Sequence, residues 1–490
     1  MTETAKKKRG MPSSFTILLA LLAIVAVITV IVSGTSGGAV TAARLSDFCT
    51  APIKGFADAL PVCLFVMILG GFLGMMTETG ALDNGIAVLV QKLKGNEIML
   101  IPVLMLIFSL GGTTYGMCEE TVPFYALLAA TMMAAGFDPM VGAVLLGAGC
   151  GCLGSTVNPF AVGAAVDALT GVGIEVNQSI IIGLGAVLWI VTTAMSIFFV
   201  MSYAKKVKAD KGSTILSMQE LKDAEEAHGK AASEVHKEVK LTGRQKGVLI
   251  AFAFTFVVMI VGFIPLADLN EGVANFFDAG AVYDADGNAV VQGWSALITG
   301  LPIGQWYFDE ASTWFFLMAI LIGIIGGLSE KQIVNTFITG AADMMSVVLV
   351  IALARGISVL MANTGLDVFV LDAAANALAG LSGVIFAPMS FLVYFGLSFL
   401  IPSTSGMATV SMPIMGPLAV KLGFSPEVMV MIFSAAIGVV NLFTPTSGAI
   451  MGGLALAKIE WTTWLKFALK LIVALSVVCA IILTVACVML

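Results

Sequence analysis

Gly111-Gly112-Thr113-Thr114-Tyr115-Gly116-Met117-Cys118-Glu119-Glu120-Thr121-Val122-Pro123 is a polar island with two adjacent carboxylates, set between apolar runs. Such a stretch cannot face lipid, where nothing satisfies freed backbone groups or an ionised carboxylate. The flanking apolar runs, 98–111 and 124–136, are too short to cross a bilayer core as straight helices, for which about 20 residues are needed. A re-entrant hairpin tip over 111–123 accounts for both facts: glycines permit the reversal, and hydroxyls and freed backbone line an aqueous cavity. The alternative is an ordinary solvent-exposed loop.

The rest of the chain supplies the membrane that this reading requires. Of its 490 residues 59% are hydrophobic and 11% charged, where soluble domains carry about a quarter charged. The mean hydropathy of +1.03 comes from long unbroken apolar runs, not the alternating segments of about ten residues that make a barrel. The fold class is therefore an all-α polytopic membrane protein. Further apolar spans fall near 15–32, 60–77, 139–153, 179–202, 247–265, 312–328, 344–362, 384–401, 427–443 and 465–488, with the short ones clustered around 98–160 and 384–450.

Residues 1–10 carry Lys6-Lys7-Lys8-Arg9, and the apolar stretch after them exceeds the roughly 7 to 15 residues of a signal-peptide core, so it reads as a first span with a cytoplasmic N-terminus. Segment 205–246 holds ten Lys/Arg and seven acidic residues, whereas 265–311 holds seven acidic residues and no Lys or Arg. By the positive-inside rule the first is cytoplasmic and the second faces outward. The expected plan is a first membrane half (11–204), a cytoplasmic linker (205–246) with a surface helix at its centre, and a second half (247–490).

Several functions fall away. There is no basic nucleic-acid face, no GxxxxGK[ST] nucleotide loop and no nucleophile, base and orienting partner in convincing relation, so an enzyme or an ATP-driven pump within this chain is not expected. Seven cysteines, mostly inside apolar runs, imply no disulfide framework, and the two histidines, His228 and His236, lie in the linker away from Cys150-Gly151-Cys152. No metal site or cofactor is expected.

The second half repeats the first. Gly116-Met117 followed by Pro123, then Gly136-Phe137-Asp138-Pro139, then Ser155-Thr156-Val157-Asn158-Pro159 form one series. Gly406-Met407 followed by Pro413, then Gly423-Phe424-Ser425-Pro426, then Thr444-Pro445-Thr446-Ser447-Gly448 form the other. Corresponding apolar segments interrupted by Gly, Pro and hydroxyl residues point to the binding site of a secondary transporter. Candidate substrate-binding residues are Thr113, Thr114, Glu119 and Glu120 at the first tip, and Ser403, Thr404 and Ser405 at the second, over 402–413. Ser155, Thr156 and Asn158 at one helix break (155–159), and Thr444, Thr446 and Ser447 at the other (444–448), complete the set with Arg355. Proline removes a backbone donor at each break, and the half-helix ends present amides to an anion and carbonyls to a cation. Glu119 and Glu120 suit a cation or a proton, although one could serve a backbone turn instead. Arg355, inside an apolar run, must have a partner: a substrate carboxylate, or Asp343 or Glu119 in a structural pair. Asp138 and Asp167 read as caps or interface residues.

Gly111–Pro123, Gly154-Ser155-Thr156-Val157-Asn158-Pro159, Ala354-Arg355-Gly356-Ile357 and Asn441-Leu442-Phe443-Thr444-Pro445-Thr446-Ser447-Gly448 together resemble the YfcC family, grouped with the anaerobic C4-dicarboxylate carriers in the wider ion transporter superfamily. The resemblance runs from about residue 10 to 488. It implies an inverted-repeat, elevator-type fold with two re-entrant hairpins and broken helices, a homodimer, and the bacterial inner membrane. Some relatives carry dicarboxylates, whereas YfcC-like members are named as basic amino-acid antiporters, arginine/ornithine exchangers among them. Two carboxylates beside a dicarboxylate would cost Coulomb energy in a low-dielectric cavity, while a cationic amino acid wants a carboxylate for its side chain and an amide-rich helix end for its α-carboxylate. The expected function is thus an arginine/ornithine-type antiporter working by alternating access. The alternatives are a sodium- or proton-coupled carrier of C4-dicarboxylates, other organic anions or short peptides, and a structural or sensory protein that has kept a transporter fold.

Overall fold

The computed structural model describes residues 14–92, 96–122, 124–234, 240–284, 289–401 and 403–490; the basic Lys6–Arg9 segment, Pro123, Pro402 and His236 lie outside them. Nine helices among the described residues are long and apolar enough to cross a membrane, from Phe15–Ser33 to Trp461–Met489. The last of these exposes Leu469, Val473, Val477, Ile481 and Val485 while burying Leu471, Leu475, Cys479 and Leu483. An aliphatic stripe at about four-residue spacing, left uncovered by protein, is a face for lipid.

Without a hydrophobic drive between helices in lipid, close backbone approach at small residues does much of the packing. A Cβ on Gly112 would lie 2.1 Å from the Ala148 carbonyl oxygen, and one on Gly151 would lie 2.2 Å from that of Ser109. Gly111 and Gly112 therefore sit inside the helix Leu100–Tyr115, and do not open a tip as the sequence suggested. The turn comes at Gly116, where φ is +83° and a Cβ would overlap the Asn158 amide. The second polar stretch is corrected likewise: Gly383–Leu400 ends before 401–403, and Thr404–Lys421 is already helical. Gly406 is thus in a first helical turn and has a different role from Gly116, although both open a Gly-Met pair.

The later pair of motifs does share one structure. Gly136 and Gly423 both adopt positive φ, Phe137 and Phe424 each donate to the carbonyl five residues back, and Asp138 and Ser425 accept the amides of Val141 and Val428. This is a left-handed helix stop followed at once by an N-cap and a proline at the first helical position. After each turn a helix runs inward and breaks: Pro139–Leu153 before 154–158, and Pro426–Asn441 before 442–447. The second is the most enclosed element, buried at every residue from Glu427 to Val440.

Two excursions of the chain return to where they start. Glu97, before Leu100–Tyr115, pairs with Lys208 at 2.7 Å; Asp138, after Phe124–Ala134, accepts from Tyr203 at 2.5 Å and Thr214 at 2.6 Å. Both ties go to the last turns of Gln178–Ala209 and the residues just beyond. In the second excursion Phe386 stacks near Phe424 at 4.8 Å, and Gly383 lies against Cys487 at the far end of Trp461–Met489. The near end of that last helix meets the linker, where the Glu460 amide donates to Glu220 at 2.9 Å.

The linker is docked along its centre. Met218–Glu234 packs on Phe124–Ala134 with Glu220, Leu221, Ala224 and His228 on one face, and His228 Nε2 donates to the Leu456 carbonyl at 3.1 Å. Burial holds the His228 imidazole below its ordinary pKa; the Leu456 carbonyl opposes this, and the Lys458 charge adds to it.

Candidate functional site

The tips and breaks of both halves meet around one cavity of about 480 Å³. Of the residues singled out from the sequence, Glu119, Glu120, Asn158, Arg355, Ser403, Thr404, Ser405, Thr446 and Ser447 line it. Thr113, Thr114, Ser155, Thr156 and Thr444 do not, and each hydroxyl is taken by a partner nearby. Thr113 donates to the Gly154 carbonyl, Thr156 returns two bonds to the Thr113 carbonyl at 3.0 Å each, and Ser155 donates to Cys152 at 2.8 Å. Thr114 bonds within its own helix to Leu110 at 2.7 Å, and Thr444 pairs with Thr446 at 2.7 Å. These hydroxyls fasten the first tip to the first break and shape the second.

The breaks differ in what they offer. Asn158 Oδ1 accepts the amides of Phe160 at 2.8 Å and Ala161 at 3.2 Å, so the half-helix beginning at Pro159 is already capped. Ser447 stands at the same position before Gly448–Leu456 but makes no side-chain cap bond. The first-turn amides of that helix have no intrahelical acceptor, and Gly448, Ala449 and Ile450 line the cavity, so this end is uncapped and open toward it, a geometry suited to an anion. Carbonyls freed at the break are taken by indoles: Trp461 donates to Phe443 at 2.7 Å and Trp464 to Leu442 at 2.9 Å.

Charge is unevenly distributed around the wall. Asp58, Glu119, Glu120 and Asp167 line the cavity together with Arg355, the single basic side chain lining it among the described residues. Glu120 is buried and its Oε2 accepts the Cys118 amide at 2.9 Å, which makes it the acid that serves a backbone turn. Glu119 is less buried than Glu120, and among the described residues its carboxylate takes a hydrogen bond from its own backbone amide and from no other side chain. Arg355 pairs with neither Asp343 nor Glu119: its Nε lies 3.1 Å from Asp58 Oδ2, and Asp343 is exposed. A small apolar cluster containing Ala59, Val122, Ile351 and Ala449 holds the four elements that carry Asp58, Glu119, Arg355 and the open helix end.

Asp58 is the main residue that sequence reading misses. It ends an amphipathic helix, Leu45–Asp58, that is too short and too polar to read as a span and carries none of the repeated motifs. Asp167, expected as a cap or an interface residue, lines the cavity. Tyr125, Phe160 and Tyr307 add aromatic wall that looks like ordinary packing in the sequence.

Residues 11–488 match the family described as the C4-dicarboxylate anaerobic carrier. An uncharacterised protein of Haemophilus influenzae is 29% identical over 445 residues, covering 90% of this chain and 78% of the relative. YfcC of Escherichia coli, named as a proposed basic amino acid antiporter, is 27% identical over 440 residues, covering 87% and 77%. Among solved structures, Neisseria gonorrhoeae MtrF, described within a class of antimetabolite efflux pumps, aligns over 98% of this chain and 96% of its own with a TM-score of 0.45 and 16% identity. The Alcanivorax borkumensis YdaH transporter aligns over 97% and 98% with a TM-score of 0.46 and 14% identity. The chain is a multi-pass membrane transporter rather than an enzyme, and it belongs to the C4-dicarboxylate anaerobic carrier family.

Proposed function

We propose that the protein is a secondary antiporter for basic amino acids of the arginine/ornithine type, working as a homodimer in the bacterial inner membrane with its N-terminus and linker in the cytoplasm. The observation that carries this reading is the cavity wall, with four carboxylates against one guanidinium. A cationic side chain is attracted by Glu119, while the α-carboxylate has donors in Arg355 and the open end of Gly448–Leu456. A second anion in place of the side chain would meet uncompensated carboxylates in a low-dielectric space.

Alternating access is supported by the two excursions. Each leaves and rejoins one end of the bundle, as a re-entrant hairpin does, and the helix Trp461–Met489 runs from the linker end to the Gly383 end, so the two enter from opposite sides. Opposed entry with both tips at one cavity is the arrangement of an inverted repeat, and an elevator motion would carry that cavity past the remaining helices.

A second reading, a sodium- or proton-coupled carrier of dicarboxylates, is favoured by the same donors, with the acids as coupling-ion ligands. Thermal unfolding of the purified protein separates the two. Arginine at about 100 times its Kd stabilises by roughly 2.7 kcal/mol and raises the midpoint, while succinate leaves it unchanged with or without sodium. Stabilisation by succinate and none by arginine contradicts the antiporter reading.

A further inference from the structure

We propose that Asp58 and Arg355, which pair with each other across the cavity wall, form a clamp for the α-ammonium and α-carboxylate of an amino-acid substrate. The inference rests on the basic amino-acid reading and adds to it the recognition of the substrate's backbone end.

Both residues line the cavity, and their bridge is not sealed: the Asp58 side chain is 53% exposed and that of Arg355 23%. The contact is one-sided. Nε of Arg355 meets Oδ2 of Asp58 at 3.1 Å, and among the described residues no other side chain pairs with either group. A guanidinium carries five N–H donors and a carboxylate can accept several bonds, so both partners keep capacity for a ligand.

The pair is held rigidly from behind. Gly55, one turn before Asp58, and Gly356, next to Arg355, bring their helices into backbone contact: a Cβ on Gly55 would lie 2.3 Å from the Gly356 amide nitrogen, and one on Gly356 would lie 2.8 Å from the Ala51 carbonyl oxygen. The two helices are therefore fixed relative to each other, while the Asp58 and Arg355 side chains keep the freedom to part around a ligand. Gly448 packs on Ile351, one turn before Arg355, so the open amide end lies against the helix that carries Arg355, and both line the same cavity.

An amino-acid zwitterion carries the complementary pair of charges on neighbouring atoms. Its insertion replaces one ion pair by two, ammonium to Asp58 and carboxylate to Arg355 and the Gly448 end, while Glu119 receives the side-chain cation. A decarboxylated amine leaves Arg355 without its new partner, and a dicarboxylate leaves Asp58 without one. The clamp thereby selects α-amino acids over both.

The test is competition against labelled-arginine counterflow in liposomes, using arginine, agmatine (no carboxylate) and 5-guanidinopentanoate (no ammonium). In the unmodified protein each analogue competes at least about 10-fold more weakly than arginine, because each leaves one charged partner of the cavity without its counter-charge; 10-fold corresponds to about 1.4 kcal/mol. Asp58→Asn weakens arginine about 10-fold and leaves 5-guanidinopentanoate within about twofold, because only the former has an ammonium to lose. Equal competition by all three compounds in the unmodified protein overturns the clamp and needs no variant. So does an Asp58→Asn variant that weakens arginine and 5-guanidinopentanoate alike, as a structural bridge would. Absence of arginine entry into liposomes of the unmodified protein overturns the amino-acid reading itself and the clamp with it.

Discussion

Glu119 and Glu120 are adjacent in the chain and do different work. Glu120 is enclosed and closes the turn through the Cys118 amide, so its loss disturbs the tip. Glu119 reaches the cavity without a hydrogen-bonded side-chain partner, so its charge is available to a ligand. Glu119→Gln should therefore weaken arginine by about 10-fold or more, roughly 1.4 kcal/mol, and a neutral amino acid far less, as read from competition constants in counterflow. Equal weakening of both would count against that role. The two acids are legible in the sequence because carboxylates inside an apolar stretch have few explanations. Asp58 is not, because its meaning depends on Arg355, which is brought to it only by packing at Gly55 and Gly356. Thr113 and Thr156 are legible as polar but not as partners, because which freed carbonyl a hydroxyl takes is decided by the fold.

At the scale of elements, the breaks are readable because proline and glycine leave the helix few options, whereas the start of each tip is not. Nothing before Gly116 stops Leu100–Tyr115, and Gly111 and Gly112 serve packing, so glycine content alone sets the turn too early. The linker's charge pattern marks a surface helix; its docking through Glu220 and His228 is a tertiary fact. That docking should depend on pH. Burial lowers the pKa of docked His228, so the docked state binds its proton less readily than the undocked one. Docking is then strongest above the ordinary histidine value of about 6.5 and weakens as pH falls through it. Amide exchange over 218–234, corrected for intrinsic rates, should be faster at about pH 5.5 than at about 7.5, with the difference lost in His228→Gln. A pH-independent protection pattern would mean that His228 contributes nothing to docking.

For the whole molecule, the repeated Gly-Phe-Asp/Ser-Pro motif marks two turns of one shape, and the hydropathy of the chain makes the membrane class legible before any coordinates. The meeting of both tips and both breaks at one cavity, with acids from three separate regions of the chain, is not, because it depends on interleaving of the two halves. That meeting gives the account its mechanism. On the antiporter reading proposed above, carrying the Glu119 carboxylate across the membrane without a cation is costly and a bound cation removes much of that cost, which would couple movement to occupancy and make exchange the outcome.

Counterflow in liposomes containing the purified protein tests this most directly. Vesicles preloaded with unlabelled arginine or ornithine should take up labelled arginine without a sodium gradient, and empty vesicles or vesicles preloaded with succinate should not. Succinate exchange or sodium-driven uptake, with no arginine entry under any preload, would contradict the account and make the cavity acids ligands of a coupling ion.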